Sequence, residues 1–375
     1  MTITCLIGNG FDLGLGLRTR YLDFLPWYLS RKSSKSDAVK WLCGQIENSK
    51  DGTWADAEMA FGRLPFSEAT NVINGNIDNA VDETLVDFHS DLASYLRLEQ
   101  NRLSVPKEDY ADVRNRFLSS IIKSLDLYVG SEGREDLPYL ENNKVIARFN
   151  FITFNYTNTL EKLLGVDSMP AGVFDVKLSE FRKVSVVVNP ICYVHGSLEA
   201  NTLVFGVDNA GQIKDSGAKD FCADSGQLLK PEMDRLLDYG YERCAKSMIY
   251  KSDRIICLGL SYGATDVRWW EYVYDALGKN EKMRLLLSPY FPKWRSCNSC
   301  AEQVVIAREI RNSFLVSISK QNAIPLRELP GMDVIRPKMV VMKHSPHFDF
   351  NYKMTHCDPF NLAWFGKKYV KDYGK

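Results

Sequence analysis

Short apolar runs that end in glycine, asparagine or histidine recur along the chain, and helical periodicity follows several of them. The first run, Thr2 to Ile7, leads into Gly8-Asn9-Gly10, the pattern of a buried parallel strand feeding a tight turn. Leu22, Leu25, Tyr28 and Leu29 then recur at helical spacing, with Thr19 as the expected cap. A second unit runs from Val145 to Phe154, turns at Asn155-Tyr156-Thr157-Asn158 and continues as a short helix, Thr159 to Leu164, closed by Gly165. Asn158 and Glu161 stand at capping-box separation. The third unit is Arg254 to Leu258, followed by Gly259-Leu260-Ser261-Tyr262-Gly263 and a helix over about 266–276.

Further strands are expected at Val184 to Val188, Cys192 to Val194, Leu203 to Phe205, Met283 to Leu287 and Met339 to Met342, with a helix near Ala301 to Ile318. Between the first two units the period is helical throughout: Leu85, Phe88, Leu92, Tyr95 and Leu96 share one face, as do Val113, Phe117, Ile121, Leu125 and Tyr128. Strands alternating with helices predict an α/β fold, a Rossmann-like, doubly wound and mainly parallel sheet. Residues 1–30 and 144–290 are expected to form its core, residues 31–143 a large helical insertion, and residues 291–375 a C-terminal α/β extension packing on the core.

Composition narrows the function classes. Lys+Arg and Asp+Glu both total 47, so no net field draws the chain to nucleic acid or to an anionic membrane, and a nucleic-acid partner is not expected. No apolar stretch reaches the roughly 20 residues of a membrane helix, and a polar turn follows the first strand where a signal peptide would continue, so a cytoplasmic location is expected. The 9 cysteines are odd in number and scattered through apolar runs, which fits reduced thiols better than a disulfide framework. Cys297 and Cys300 form a lone C-x-x-C; His344, His347, His356 and Cys357 follow at no zinc spacing, and no metal is expected.

In an open α/β sheet, ligands bind beyond the carboxyl ends of the strands. Gly8, Gly10 and Gly14 fall there, but not at the G-x-G-x-x-G spacing of a dinucleotide fingerprint. Asn155 carries a carboxamide that could hold a ribose hydroxyl or water, and the capping role falls to its neighbours, leaving it without an evident structural duty. His195, after Ile191-Cys192-Tyr193-Val194 and before Gly196, should emerge at a strand end, where a neutral imidazole serves as a general base. Asp56 and Glu58 stand two apart, which on a helix separates them by about 200° and reads as surface charge. The motifs of serine hydrolases, P-loop NTPases, zinc proteases and kinases do not occur.

Taken together, Leu6-Ile7-Gly8-Asn9-Gly10-Phe11-Asp12, Trp54-x-Asp56-x-Glu58, Thr153-Phe154-Asn155-Tyr156-Thr157, His195-Gly196, Phe205-Gly206-Val207-Asp208 and Leu258-Gly259-x-Ser261-x-Gly263-x-x-Asp266 resemble the bacterial abortive-infection AbiH family over most of residues 1–270. AbiH proteins in turn look like distant members of the sirtuin-like superfamily. That resemblance implies an antiphage effector that binds NAD and hydrolyses it to ADP-ribose and nicotinamide. It implies that Gly8, Asn9 and Gly10 cradle the diphosphate, that Asn155 positions water or ribose, and that His195 is the base. Gly259, Ser261 and Asp266 would lie by the adenosine half, with Phe11, Asp12, Thr157, Gly206 and Asp208 completing the nucleotide site. Thr157 stands where the sirtuin pattern has an acid, and the paired zinc-binding C-x-x-C motifs are missing, which disfavours protein deacylation. The alternative is a sensor that holds NAD or ADP-ribose without turnover. By analogy alone the expected partners are a phage-derived trigger and further copies of the chain.

Overall fold

The computed structural model describes residues 1–47, 54–73, 75–125, 136–142, 145–165, 172–180, 182–236, 240–288, 299–341 and 362–371. Its centre is one eight-stranded sheet formed by β1 (Thr2–Ile7), β2 (Ala147–Thr153), β3 (Gly172–Lys177), β4 (Lys183–Val188), β5 (Cys192–Tyr193), β6 (Arg254–Leu258), β7 (Arg284–Ser288) and β8 (Met339–Val341). The order is β3-β4-β2-β1-β6-β7-β8, and β5 pairs with β2 just past β4. Every pairing is parallel except β3 with β4, so the fold is α/β with a mixed, mostly parallel sheet.

The apolar runs become central strands because both faces of the sheet are covered. Ile3, Cys5 and Ile7 of β1 point into one core with Phe117 and Phe151, while Leu6 points into the other with Trp269, Trp270 and Phe314. The long stretch between β1 and β2 contains the helices Asp37–Glu47, Trp54–Gly62, Phe66–Ile73, Ile77–Gln100, Tyr110–Ser124 and Asp136–Asn142. Leu85, Phe88, Leu92, Tyr95 and Leu96 lie together in a third core, as their spacing predicts. Tyr128, expected on the face of Val113 and Phe117, lies outside the described residues. Among the described residues no helix is long and apolar enough to cross a membrane.

Three local expectations are corrected. Leu203 to Phe205 is not a strand: Val204 and Phe205 are buried, but Val204 N–H donates to the His195 carbonyl (2.8 Å), and Phe205 packs its ring on Phe61 and Phe88. Its apolar character serves the helical core rather than a sheet. Thr19 does not cap the first long helix, which begins at Tyr21 after Arg20; its hydroxyl donates instead to Asn9 Oδ1 (2.5 Å). Asn158 makes no side-chain cap either, because its amide is drawn to Glu199 Oε1 (2.8 Å). The edge strand β3 was not anticipated, since only Val176 of Gly172–Lys177 is buried.

Candidate functional site

Sheet register brings the candidate residues into line. Ile7 pairs with Thr153 and with Leu258, and Thr153 pairs with Tyr193. Two residues beyond that row, at the carboxyl ends of four neighbouring parallel strands, stand Asn9, Asn155, His195 and Leu260. The row is cross-braced by backbone. Gly8 N–H donates to Leu258 O (2.9 Å) and Gly10 N–H to Gly259 O (3.0 Å). A Cβ on Gly10 would lie 2.5 Å from Gly259 Cα, and Gly259 itself has φ +65°. These glycines therefore let two strand ends touch, and the N–H groups of Gly8 and Gly10 are already engaged by β6. Asn155 has a structural duty after all: its Nδ2 donates to Gly8 O (3.2 Å), tying β2 to the same turn.

Behind that turn lies Asp12, almost wholly buried on the short helix Gly10–Gly14. The hydroxyls of Thr157 and Thr159 donate to its two carboxylate oxygens, each at 2.6 Å. Burial outweighs these hydrogen bonds and raises the Asp12 carboxyl to about 6. Thr157, where an acid was looked for, thus grips an acid delivered by another segment.

The densest charged cluster surrounds His195. Its Nε2 lies 2.8 Å from Asp266 Oδ1, at the start of the helix Val267–Lys279, and 3.5 Å from Lys230 Nζ. Lys230 opens the helix Lys230–Leu236 and its side chain has no exposed surface. It donates to Asp266 Oδ1 (2.9 Å), to Glu58 Oε2 (2.8 Å) and to the Thr265 carbonyl (3.2 Å). Thr265 Oγ1 donates to the same Glu58 oxygen (2.5 Å).

The loop Gly206-Val207-Asp208 delivers that lysine. Val207 N–H donates to Leu228 O (2.8 Å) and Lys230 N–H to Val207 O (3.0 Å), an approach so close that a Cβ on Gly206 would sit 2.2 Å from Leu228 O. Asp208, next along, pairs with Arg268 at 3.2 Å. Burial raises its carboxyl to about 6 even beside that guanidinium. The His195 ring is enclosed by Phe154 (edge-on, 5.3 Å between centroids) and Tyr156 (6.2 Å).

The electrostatics follow from this packing. Burial, then the Lys230 ammonium, push the His195 imidazole below its ordinary value, against the opposing pull of Asp266. Burial would raise Asp266, but Lys230 and His195 outweigh it and hold the carboxyl well below the ordinary range. Glu58, more deeply buried than it is compensated by Lys230, rises to about 7. Lys230, penalised by burial, is held charged by Asp266 and Glu58. Near neutral pH the cluster is a neutral imidazole on an ionised aspartate beside a charged lysine, with a glutamate that burial holds toward its protonated form.

Of the residues singled out in the sequence, His195 and Asp266 meet directly, while Asn155, Gly8, Asn9, Gly10 and Gly259 share the neighbouring strand ends, and Asp12 and Thr157 form their own pair. Phe11 is a core residue, its ring edge-on to Phe117, and Ser261 is exposed. Lys230 was missed, and the surface-charge reading of Glu58 is overturned: it is 4 % exposed. The available signal was its place between Ala57 and Phe61, both fully buried on the helix Trp54–Gly62. The Asp56 side chain lies outside the described residues, as do Cys297, the Cys300 side chain, His344, His347, His356 and Cys357.

Among the described residues no group of three or more His, Cys, Asp or Glu side chains could hold a metal ion. A surface cleft of about 710 Å³ lies in the helical block, lined by Lys35, Asp82, Asp87 and their neighbours and by no member of the His195 cluster. The cleft's charges pair with one another, Lys35 with Asp87, whereas the His195 cluster is buried with strongly shifted titrating groups, and that cluster is the stronger candidate.

No curated protein matches the chain. The model of the family described as bacteriophage abortive infection AbiH matches residues 5–287, a span that runs from within β1 to within β7 and holds every residue of the His195 cluster. The chain belongs to the AbiH family, and that membership implies a role in abortive infection by bacteriophage.

Proposed function

We propose that this abortive-infection protein binds NAD at the carboxyl edge of its sheet and hydrolyses the nicotinamide glycosidic bond. The observation that carries the reading is the contact between His195 Nε2 and Asp266 Oδ1 at 2.8 Å. An ionised Asp266 accepts Nε2–H, which fixes the tautomer and leaves the Nδ1 lone pair free to take a proton. Because burial keeps the imidazole neutral, the base is available at neutral pH. In hydrolysis His195 takes a proton as water or a ribose hydroxyl attacks, the C–N bond to nicotinamide breaks, and water completes ADP-ribose. Asn155, beside His195 in the strand-end row, would orient the attacking group, and the acidic residues behind the row would stabilise the oxocarbenium-like transition state.

Incubation of the purified protein with NAD is expected to release nicotinamide, and His195→Ala to slow that release by about 10²-fold or more. Full activity in the variant would overturn the reading. A second reading, a sensor that holds NAD or ADP-ribose without cleaving it, is favoured by one observation: the Lys230 ammonium is wholly enclosed by Glu58, Asp266 and Thr265, as in a structural pillar. Mass spectrometry of ligand carried through purification separates the two, intact NAD favouring the sensor and ADP-ribose the hydrolase.

A further inference from the structure

Behind the His195 cluster, two cysteines from different elements face each other. Cys192 lies in β5, three residues before His195, and is 4 % exposed. The helix Tyr241–Tyr250 packs on β5 with Cα atoms of the two elements within 8 Å. Cys192 Sγ contacts the Tyr241 carbonyl at 3.5 Å, at the first turn of that helix. Cys244 stands three residues further on, one turn along the helical face whose Tyr241 carbonyl Cys192 touches. Cys244 is exposed where Cys192 is buried.

We propose that Cys192 and Cys244 form a peroxide-oxidisable pair, in which the exposed Cys244 is attacked first and the buried Cys192 resolves it into a disulfide. The asymmetry assigns the order: peroxide reaches the surface sulfur of Cys244, and buried Cys192 rests against the helical turn that carries it. Beside Cys192 the Cys244 thiol is lowered to about 6, while Cys192 itself is raised.

The Cys244 thiolate attacks one peroxide oxygen, the O–O bond breaks, and the departing oxygen leaves as water, giving a sulfenic acid. The Cys192 sulfur then attacks Cys244 Sγ, the S–S bond forms, and the sulfenic oxygen departs as a second water with the thiol proton. Two thiols lose two electrons, and one peroxide becomes two waters. The bond would join the strand bearing His195 to a helix whose opening N–H groups rest on Asp234 (3.2 and 3.3 Å) and whose Glu242 holds Arg268 (3.2 Å).

The test is disulfide mapping on the full chain. Protein treated with stoichiometric hydrogen peroxide is alkylated, digested without reduction and analysed by mass spectrometry. A cross-linked peptide joining Cys192 to Cys244, which disappears on treatment with dithiothreitol, is expected. In Cys192→Ser the same treatment should leave Cys244 as a sulfenic acid captured by dimedone, and in Cys244→Ser Cys192 should remain fully alkylated after unfolding. Recovery of both cysteines as free thiols in the wild-type protein, or of Cys192 oxidised in Cys244→Ser, would overturn the proposal; the wild-type mapping stands whether or not either variant folds, and it is independent of any NAD chemistry.

Discussion

The ammonium of Lys230 and the carboxylate of Asp266 meet at 2.9 Å with the lysine side chain wholly shut off from solvent. Such a pair is sustained by mutual compensation, so removing one partner costs more than the pair contributes. Lys230→Met should destabilise the protein by about 3–5 kcal/mol, because Asp266 and Glu58 are left buried and uncompensated. Adding Asp266→Asn to that variant should recover part of the loss. Urea unfolding of the two single variants and the double variant measures this, and strict additivity would show that the contact carries no coupling.

Two members of the cluster titrate in opposite senses. Glu58 lies at about 7 in the folded chain against an ordinary 4.5, so within that window the folded protein holds a proton that the unfolded chain has lost, and stability falls as pH rises. His195 is lowered from 6.5, so the unfolded chain protonates first on acidification, and stability falls as pH drops. Glu58→Gln removes the first slope and leaves the second. Its urea midpoint, relative to wild type, should improve between about pH 5 and about pH 7. Equal differences at both pH values would mean that Glu58 does not titrate as a buried carboxyl.

The strands β1, β2 and β6 were legible because each is an apolar run bounded by a turn residue, and burial on both faces demands that composition. His195 and Asn155 were legible as the polar residues just beyond such runs, and Asp266 as the acid opening the helix after the third run. Lys230 was not, because nothing local marks it: a lysine opening a short helix is ordinary, and its burial depends on Glu58 and Asp266 arriving from positions far away in sequence. The duty of Asn155 was hidden for the same reason, since its partner, the Gly8 carbonyl, becomes visible only once β1 and β2 are paired. Leu203 to Phe205 misled because a buried loop and a buried strand share one composition.

Asp12 supplies a third prediction. Thr157→Val leaves one carboxylate oxygen without its donor at nearly constant side-chain volume, and should cost about 1–3 kcal/mol. Thr157→Ser keeps the hydroxyl and should lose much less. Thermal unfolding of both variants makes the comparison; equal losses would trace the effect to packing instead of the hydrogen bond.

The glycine contact between β1 and β6 gives a fourth. Gly259→Ala places a methyl group 2.6 Å from Gly10 Cα and forces alanine into a left-handed backbone at φ +65°. Overpacking alone costs about 1–3 kcal/mol, and the backbone conformation adds to it. Gly16→Ala, with φ +87° but no neighbour within 4 Å, carries the conformational part alone. Gly259→Ala should therefore be the more destabilised of the two by urea titration, and the reverse order would mean that the strand ends separate easily.

The last prediction concerns the proposed chemistry. If His195 is the base, NAD cleavage measured as kcat/KM should rise along a single acid limb as the imidazole loses its proton, with a midpoint below the ordinary histidine value of 6.5. His195→Ala should lower the rate by about 10²–10⁴-fold and remove that limb. Asp266→Asn keeps the shape of the carboxylate but not its charge, so the imidazole loses its counter-charge; the variant should lose stability through the uncompensated Lys230, and whatever fraction folds should show a reduced rate. An acid limb that survives in His195→Ala would assign the base to another group. No nicotinamide release from folded wild-type protein, together with intact NAD retained through purification, would leave the His195 cluster as part of a sensor.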